Sequence, residues 1–150
     1  MKFQQIKIVN ATKNDLKKII EIYYENSIKP PYNNKWTLKT ATLKIHLSFK
    51  NTDHIFVAKL GKEVIGFLIA MKYYWWDGWR IYIDEISVSE RYQNRGIGKL
   101  LLDKIESIAK AKNNPIITLY SDNNAKQATK FYDKYGYKKT TAILRYKIIK

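Results

Sequence analysis

A mixed α/β domain, with an antiparallel run of strands leading into one parallel pair, is the fold class this 150-residue chain predicts. Three observations predict it. The turn signals Gly61-Lys62 and Asp77-Gly78 separate apolar runs in the middle of the chain and make three hairpin-linked strands. Soon after the third strand, Ile97, Leu100, Leu101, Ile105 and Ile108 recur at helical spacing. A short apolar run, Ile116 to Tyr120, comes next, and a strand–helix–strand unit of this kind closes as a right-handed crossover between parallel neighbours.

The elements follow in order. Gln5 to Val9 reads as a first strand. Thr12 suits a helix N-cap, with Asp15 at the positive end of the dipole, and Leu16, Ile19, Ile20 and Tyr23 mark the buried face. Pro30-Pro31 ends that helix and Pro30 to Lys35 is a loop. A second helix covers Leu38 to Phe49. The three middle strands are His54 to Leu60, Val64 to Tyr74 and Arg80 to Val88. Pro115 follows the third helix. Ala125 to Tyr135 forms the fourth, with Ala125, Ala128, Tyr132 and Tyr135 on one side and Gly136 as its stop. Tyr137 to about Ile148 reads as a closing strand. The expected order is β-α-α-β-β-β-α-β-α-β.

Composition bounds the function. The length fits a single domain over residues 1–150, and a hydrophobic fraction of 45% supplies one core. Cysteine is absent, which excludes disulfides, thiolate catalysis and thiolate-bound zinc. The two histidines, His46 and His54, lack ligand-like spacing, so no metal is expected. No run of eighteen apolar residues predicts a membrane span, and Met1 to Lys7 does not read as a signal peptide, so a cytoplasmic protein without membrane partners is expected. The formal charge is +15, from 28 basic and 13 acidic residues. It has two readings: attraction to a polyanion such as nucleic acid, the ribosome or a phosphate-rich cofactor, or a general bias toward lysine scattered along the chain.

The most informative segment runs from Val88 to Leu101. A strand ends, a loop carries Gln93-x-x-Gly96-x-Gly98, and a helix starts at once. Backbone N–H groups at a helix start bind anions, glycine lets a pyrophosphate approach the backbone, and Arg91, Arg95 and Lys99 add positive charge. The same segment packed as a plain helix-start turn is the competing reading. Neither a Walker A loop nor the three-glycine dinucleotide fingerprint is present.

The segment resembles motif A of the GCN5-related N-acetyltransferases (GNAT), Arg/Gln-x-x-Gly-x-Gly/Ala. Downstream, Ala128-x-x-Phe131-Tyr132-x-x-x-Gly136-Tyr137 is similar to the motif B helix end of the same family. The two motifs stand in the family's order within a matching series of elements, and the resemblance spans nearly the whole chain. It implies an acetyl-CoA-dependent N-acetyltransferase that needs no metal. In such proteins the strand before motif A splays from the strand after its helix, and the pantetheine arm lies in the gap.

Carried residue by residue, the resemblance implies that backbone groups of Ile86, Ser87 and Val88 pair with the pantetheine. Gln93, Asn94, Arg95, Gly96, Ile97, Gly98 and Lys99 would hold the pyrophosphate. Tyr132 matches the general acid near the coenzyme sulfur, a phenol that stays protonated at neutral pH; a core aromatic is the alternative. The N–H of Val88 is the implied oxyanion donor. Asp84 and Glu85 are both candidates for the base. Strand alternation sets neighbours on opposite faces, so only one of them is expected to face the cleft. The family often has Asn seven residues before the tyrosine. Here that residue is Ala125, and Asn124, one earlier, is either a coenzyme contact or a helix N-cap.

The acceptor is less defined. The loop with Tyr32, Asn33, Asn34 and Trp36, and the aromatic hairpin tip Tyr73-Tyr74-Trp75-Trp76-Asp77-Gly78-Trp79, offer a cation or peptide pocket. The tip also suits cross-strand pairing or a homodimer contact. The net charge disfavours polycations and favours a protein lysine or N-terminus, with a small amine as the other option. The rival from another class is a non-catalytic acyl-CoA- or nucleic-acid-binding module on the same fold.

Overall fold

The computed structural model describes residues 5–113 and 116–149. Pro115 and the first four residues lie outside that range. The chain divides into two compact units, residues 1–120 and 121–150.

In the first unit, β1 (Ile6–Asn10) leads into α1 (Leu16–Ile28) and α2 (Leu38–Asn51). Next come β2 (His54–Leu60), β3 (Glu63–Trp75), β4 (Gly78–Val88), α3 (Ile97–Ala111) and β5 (Ile117–Leu119). One sheet holds the five strands in sequence order, with three antiparallel pairings and β4 parallel to β5. This is the expected architecture up to Tyr120.

Local chemistry sets the element ends. A short 3₁₀ turn, Lys13–Asp15, precedes α1. The Asp15 carboxylate accepts from the Thr12 N–H at 2.8 Å and pairs with Lys59 at 2.7 Å. Thr37 caps α2, its hydroxyl accepting from the Thr40 N–H at 3.1 Å. Gly61-Lys62 is the tight turn between β2 and β3, with Gly61 at φ +60°. At the next hairpin the turn residues are Trp76 and Asp77, because Gly78 already pairs with Trp75. The expected Asp77-Gly78 centre is therefore shifted by one: of the two, only Gly78 takes a positive φ.

The sheet is covered on both faces, which is why β2 and β3 read as continuous apolar runs rather than as alternation. On one face Ile19, Ile22 and Tyr23 of α1 and Ala41 and Ile45 of α2 pack with Val57, Phe67 and Ile69. α3 contacts β2, β3 and β4, and alternation turns Phe56, Leu68 and Ala70 to its face. Its buried residues are Ile97, Leu101, Leu102, Ile105 and Ala109. Leu100 and Ile108, placed on this face by the sequence, are only half-buried; a four-residue step from Ile97 selects Leu101, Ile105 and Ala109 instead. Burying each large side chain stabilises the unit by about 1.5–3 kcal/mol.

The second unit contains α4 (Lys126–Lys134). Its end is a Schellman motif. The Tyr137 N–H donates to the Tyr132 carbonyl at 3.0 Å and the Gly136 N–H to that of Asp133 at 3.2 Å, with Gly136 at φ +85°. The closing strand expected from Tyr137 to Ile148 is not formed in the described residues, and Ile143, Leu144, Tyr146, Ile148 and Ile149 are exposed. A period-two pattern specifies a face, but a strand also needs a ladder for its backbone groups. No described helix is long and apolar enough to cross a membrane.

Candidate active site

Asp84 and Glu85 do not diverge as strand alternation dictates. The β3–β4 register shifts at this point: Ile69 pairs with Glu85 and Ala70 with Ile83, leaving Asp84 as the extra residue of a β-bulge. The bulge resets the alternation. Glu85 lies opposite Ile69, on the α1–α2 face, and Asp84 reaches the same neighbour there. Lys44 Nζ is 2.5 Å from Asp84 Oδ2 and 4.0 Å from Glu85 Oε1. Both carboxylates therefore face one ammonium, and the expectation that they point to opposite sides of the strand is corrected.

Electrostatics separate the two acids. Burial pushes the Glu85 carboxyl up to about 7; Lys44 opposes that rise and Asp84 adds to it. The Glu85 side chain still keeps 28% of its surface, so a proton has a path to it. Tyr23, on α1, lies within reach of the same charges. Burial, then Glu85 and Asp84, hold its hydroxyl well above the usual phenol range. Burial, then Asp84, Glu85 and Tyr120, raise Tyr82. Both phenols stay protonated at neutral pH.

Past the carboxylates, β4 has a strand on one side only among the described residues. β5 pairs with Ile81, Tyr82 and Ile83 and then stops, while β4 continues to Val88 against β3. The Ser89 N–H donates to the Ile65 carbonyl at 2.9 Å, so alternation turns the backbone of Ile86 and Val88 to the open edge and that of Ser87 toward β3. The Val88 carbonyl accepts from Asn26 Nδ2 at 2.9 Å and from Gln93 Nε2 at 3.0 Å. Asn26 also contacts the Ser87 hydroxyl at 2.6 Å. Gln93 thus braces the strand end. Gly66 stands opposite Val88, where a Cβ would make a tight contact, 3.1 Å from the Ser87 carbonyl oxygen.

The turn that follows has the geometry of an anion site. Asn94 and Gly96 take positive φ, +59° and +81°, and α3 begins at Ile97. The Leu100 N–H returns to the Gly96 carbonyl, so Ile97, Gly98 and Lys99 present the N–H groups of a first helical turn. Arg91 and Arg95 both stack on the Tyr92 ring, at 5.4 and 5.9 Å. Lys99 pairs with Asp103 one turn on.

In the second unit, Tyr132 occupies the third position from the end of α4. Its ring meets those of Phe131 at 5.3 Å and Tyr137 at 5.9 Å. The Tyr132-x-x-x-Gly136-Tyr137 spacing thus has a structural use of its own: it places the two aromatics that accompany a Schellman end. Asn124 is not the N-cap of α4. Ala125 holds that position, and the Asn124 N–H is bound to Asp122 Oδ1 at 2.8 Å.

Known proteins share the family and the fold. Residues 19–137 match the Acetyltransferase (GNAT) family. The chain belongs to that family. It is similar to an uncharacterized N-acetyltransferase of Methanocaldococcus jannaschii, with 28% identity over 147 residues, covering 91% of this chain and 62% of that relative. A possible acetyltransferase from Clostridium difficile 630 shares the fold at TM-score 0.84 and 18% identity, over 97% of this chain and 99% of that one. So does an aminoglycoside acetyltransferase from an uncultured soil metagenomic sample, solved with trehalose, at TM-score 0.76 and 19% identity over 99% of each chain.

Within this GNAT chain, three residues at the site escaped the sequence reading. Lys44, Asn26 and Tyr23 lie on helices far from motif A in sequence. Only Tyr23 gave a signal, and that signal was a core position. The loop with Asn34 and Trp36 borders a depression next to Tyr23. Trp36 stacks edge-on against Tyr23 at 5.4 Å, and Tyr23, Asn34, Lys35, Trp36 and Thr40 line an open depression of about 460 Å³. The hairpin tip follows the cross-strand reading, with Tyr74 opposite Trp79 in register and their rings 5.3 Å apart. Lys72 sits over Trp79 and Arg80 over Trp75. Among the described residues no acid and histidine group is arranged to hold a metal.

Proposed function

We propose that this chain is an acetyl-CoA-dependent N-acetyltransferase acting on a single primary amine, with a protein lysine or N-terminus preferred to a small amine. The observation that carries the reading is the second half of β4. It combines an open backbone edge, a carboxylate with affinity for protons near pH 7, and an anion-binding helix start within fourteen residues, from Asp84 to Ile97. These groups suit the cosubstrate. The N–H groups of Ile97, Gly98 and Lys99, with Arg91 and Arg95, fit a pyrophosphate, and the open edge at Ile86 and Val88 fits amides. Asn124 is retained as a further coenzyme contact. Acetyl-CoA, when bound, supplies an activated acetyl group with a thiolate leaving group.

The residues of the chain do the rest. Glu85 takes the proton of the incoming ammonium, directly or through water, because an amine attacks only when neutral. A base with affinity near the working pH is the effective one. The Val88 N–H donates to the carbonyl oxygen as charge builds there. Tyr132 returns a proton to the departing sulfur. Asn26 and Gln93 keep the end of β4 fixed. The acceptor preference follows from charge. Lys44 already neutralises Asp84, and the nearby depression holds Lys35 and no acid, so a polycation finds little to bind.

Calorimetric titration with acetyl-CoA, beside a Tyr132→Phe variant, tests the reading together with thiol release on a panel of amines and peptides. Micromolar binding by both proteins, and turnover that falls about 10²-fold or more in the variant alone, is the expected result. Absence of acetyl-CoA binding would overturn it.

A further inference from the structure

Two carboxylates next to each other on one face of a strand end pose a problem of assignment. The Asp84 charge adds to the rise at Glu85, and neither acid has a defined role unless something distinguishes them. The bulge at Asp84 creates this situation, and α2 resolves it. Lys44 Nζ bonds Asp84 Oδ2 at 2.5 Å and lies 4.0 Å from Glu85 Oε1, beyond hydrogen-bonding distance. The Lys44 and Asp84 side chains keep 28% and 18% of their surface, so the pair is only partly screened by water.

We propose that Lys44 is a positioning residue: it commits Asp84 to an ion pair and so leaves Glu85 as the carboxylate that exchanges a proton with the acceptor amine. The inference rests on the acetyltransferase reading and deepens it. Lys44 touches neither reacting atom. It acts by breaking the symmetry of the two acids and by moderating the rise that burial imposes on Glu85. Without this cation Glu85 would stay protonated to higher pH. The other titratable groups around the pair are Tyr23 on α1 and Tyr82 on β4, with Tyr120 beside Tyr82; Ile69 faces Glu85 from β3. Both Tyr23 and Tyr82 remain neutral phenols across the working range, so the charge balance at Glu85 is set by Lys44 and Asp84.

The test is a pH profile of kcat/KM for the wild type, Lys44→Met and Lys44→Arg, beside a carboxyl-carbon NMR titration of Glu85 in the same proteins without acceptor. Removing a cation at this distance raises a carboxyl by about one pH unit or more. The acid limb of the Lys44→Met profile then moves up by that amount, activity at pH 7 drops about fivefold, and most of it returns at pH 9. The Glu85 midpoint moves with the limb. Lys44→Arg keeps the charge and restores both. A loss of equal size at every pH, or a Glu85 midpoint that does not move, overturns the proposal and makes Lys44 merely structural. A midpoint that moves in a protein that acetylates no amine refutes the acetyltransferase reading instead, which overturns the proposal by a separate route.

Discussion

The two halves of β4 have the same strand geometry and opposite uses. From Gly78 to Ile83 the strand is flanked by β3, and from Ile81 by β5 as well, with Ile81 and Ile83 buried in the α3 face. From Asp84 to Val88 it loses its parallel neighbour, carries a bulge and turns two acids toward α2. The first half is a core element whose side chains gain by leaving water. The second keeps a half-buried acid near a lysine and, among the described residues, an edge with no neighbouring strand, arrangements that reduce stability. A single strand thus passes from anchoring the fold to holding a reactive site, and the end of β5 marks the change.

Substitutions on either side of that boundary should have opposite signatures. Glu85→Gln has the largest expected effect on activity, a loss of about 10²–10⁴ in kcat/KM, because it removes the proton acceptor. The same variant is expected to gain stability, and the sign follows from linkage. The folded-state affinity of Glu85 for protons is raised, to about 7, so the native state binds more protons than the unfolded chain at intermediate pH. Wild-type stability therefore falls as pH rises from about 4.3 through 7. Glu85→Gln escapes that loss. Thermal unfolding should show a Tm several degrees above wild type at pH 8 and no gain near pH 4. A variant that loses both activity and stability at pH 8 would place Glu85 with the structural half of the strand.

Ile81→Ala is the reciprocal test. Ile81 is fully buried and stands between Lys72 of β3 and Ile117 of β5. Its truncation should lower unfolding free energy by about 2–5 kcal/mol in a denaturant titration. The acid limb of the pH profile, measured on the folded fraction at low temperature, should stay where it is. A displaced limb would mean that the parallel pair also sets the electrostatics at Glu85 and that the boundary is not sharp.

The sequence read most clearly where one local pattern settles the matter. The helical faces, the Gly61-Lys62 turn, the glycine at the end of α4 and the turn before α3 all fall close to their expected positions. So do the strands of both hairpins, to within two residues. What was illegible depended on registers and on partners distant in the chain. A one-residue bulge leaves no mark in the string Ile83-Asp84-Glu85-Ile86, yet it decides that both acids share a face. Lys44 reads as one more surface lysine of α2 among 28 basic residues, and only the packed helix shows that it meets β4. Asn26 is hidden for the same reason. The closing strand was over-read, because the apolar alternation after Tyr137 gives no information on whether a neighbouring edge is there to pair with.

The outer end of the first half supplies the smallest expected effect, and it separates packing from mere exposure. Trp79 and Tyr74 face each other across the ladder, with rings 5.3 Å apart and at 77°. Lys72 lies over the Trp79 ring at 5.7 Å. Trp76 sits in the turn and is 84% exposed. Cross-strand aromatic pairs contribute roughly 0.2–1 kcal/mol, so Trp79→Ala should lower unfolding free energy by about that amount. Trp76→Ala should lie within about 0.5 kcal/mol of wild type, as exposed positions without partners usually do. If Trp76→Ala leaves stability untouched but weakens turnover of a peptide acceptor, the hairpin tip belongs to substrate handling, and the strand would carry function at both ends. If neither property changes, function in β4 is confined to the residues beyond β5.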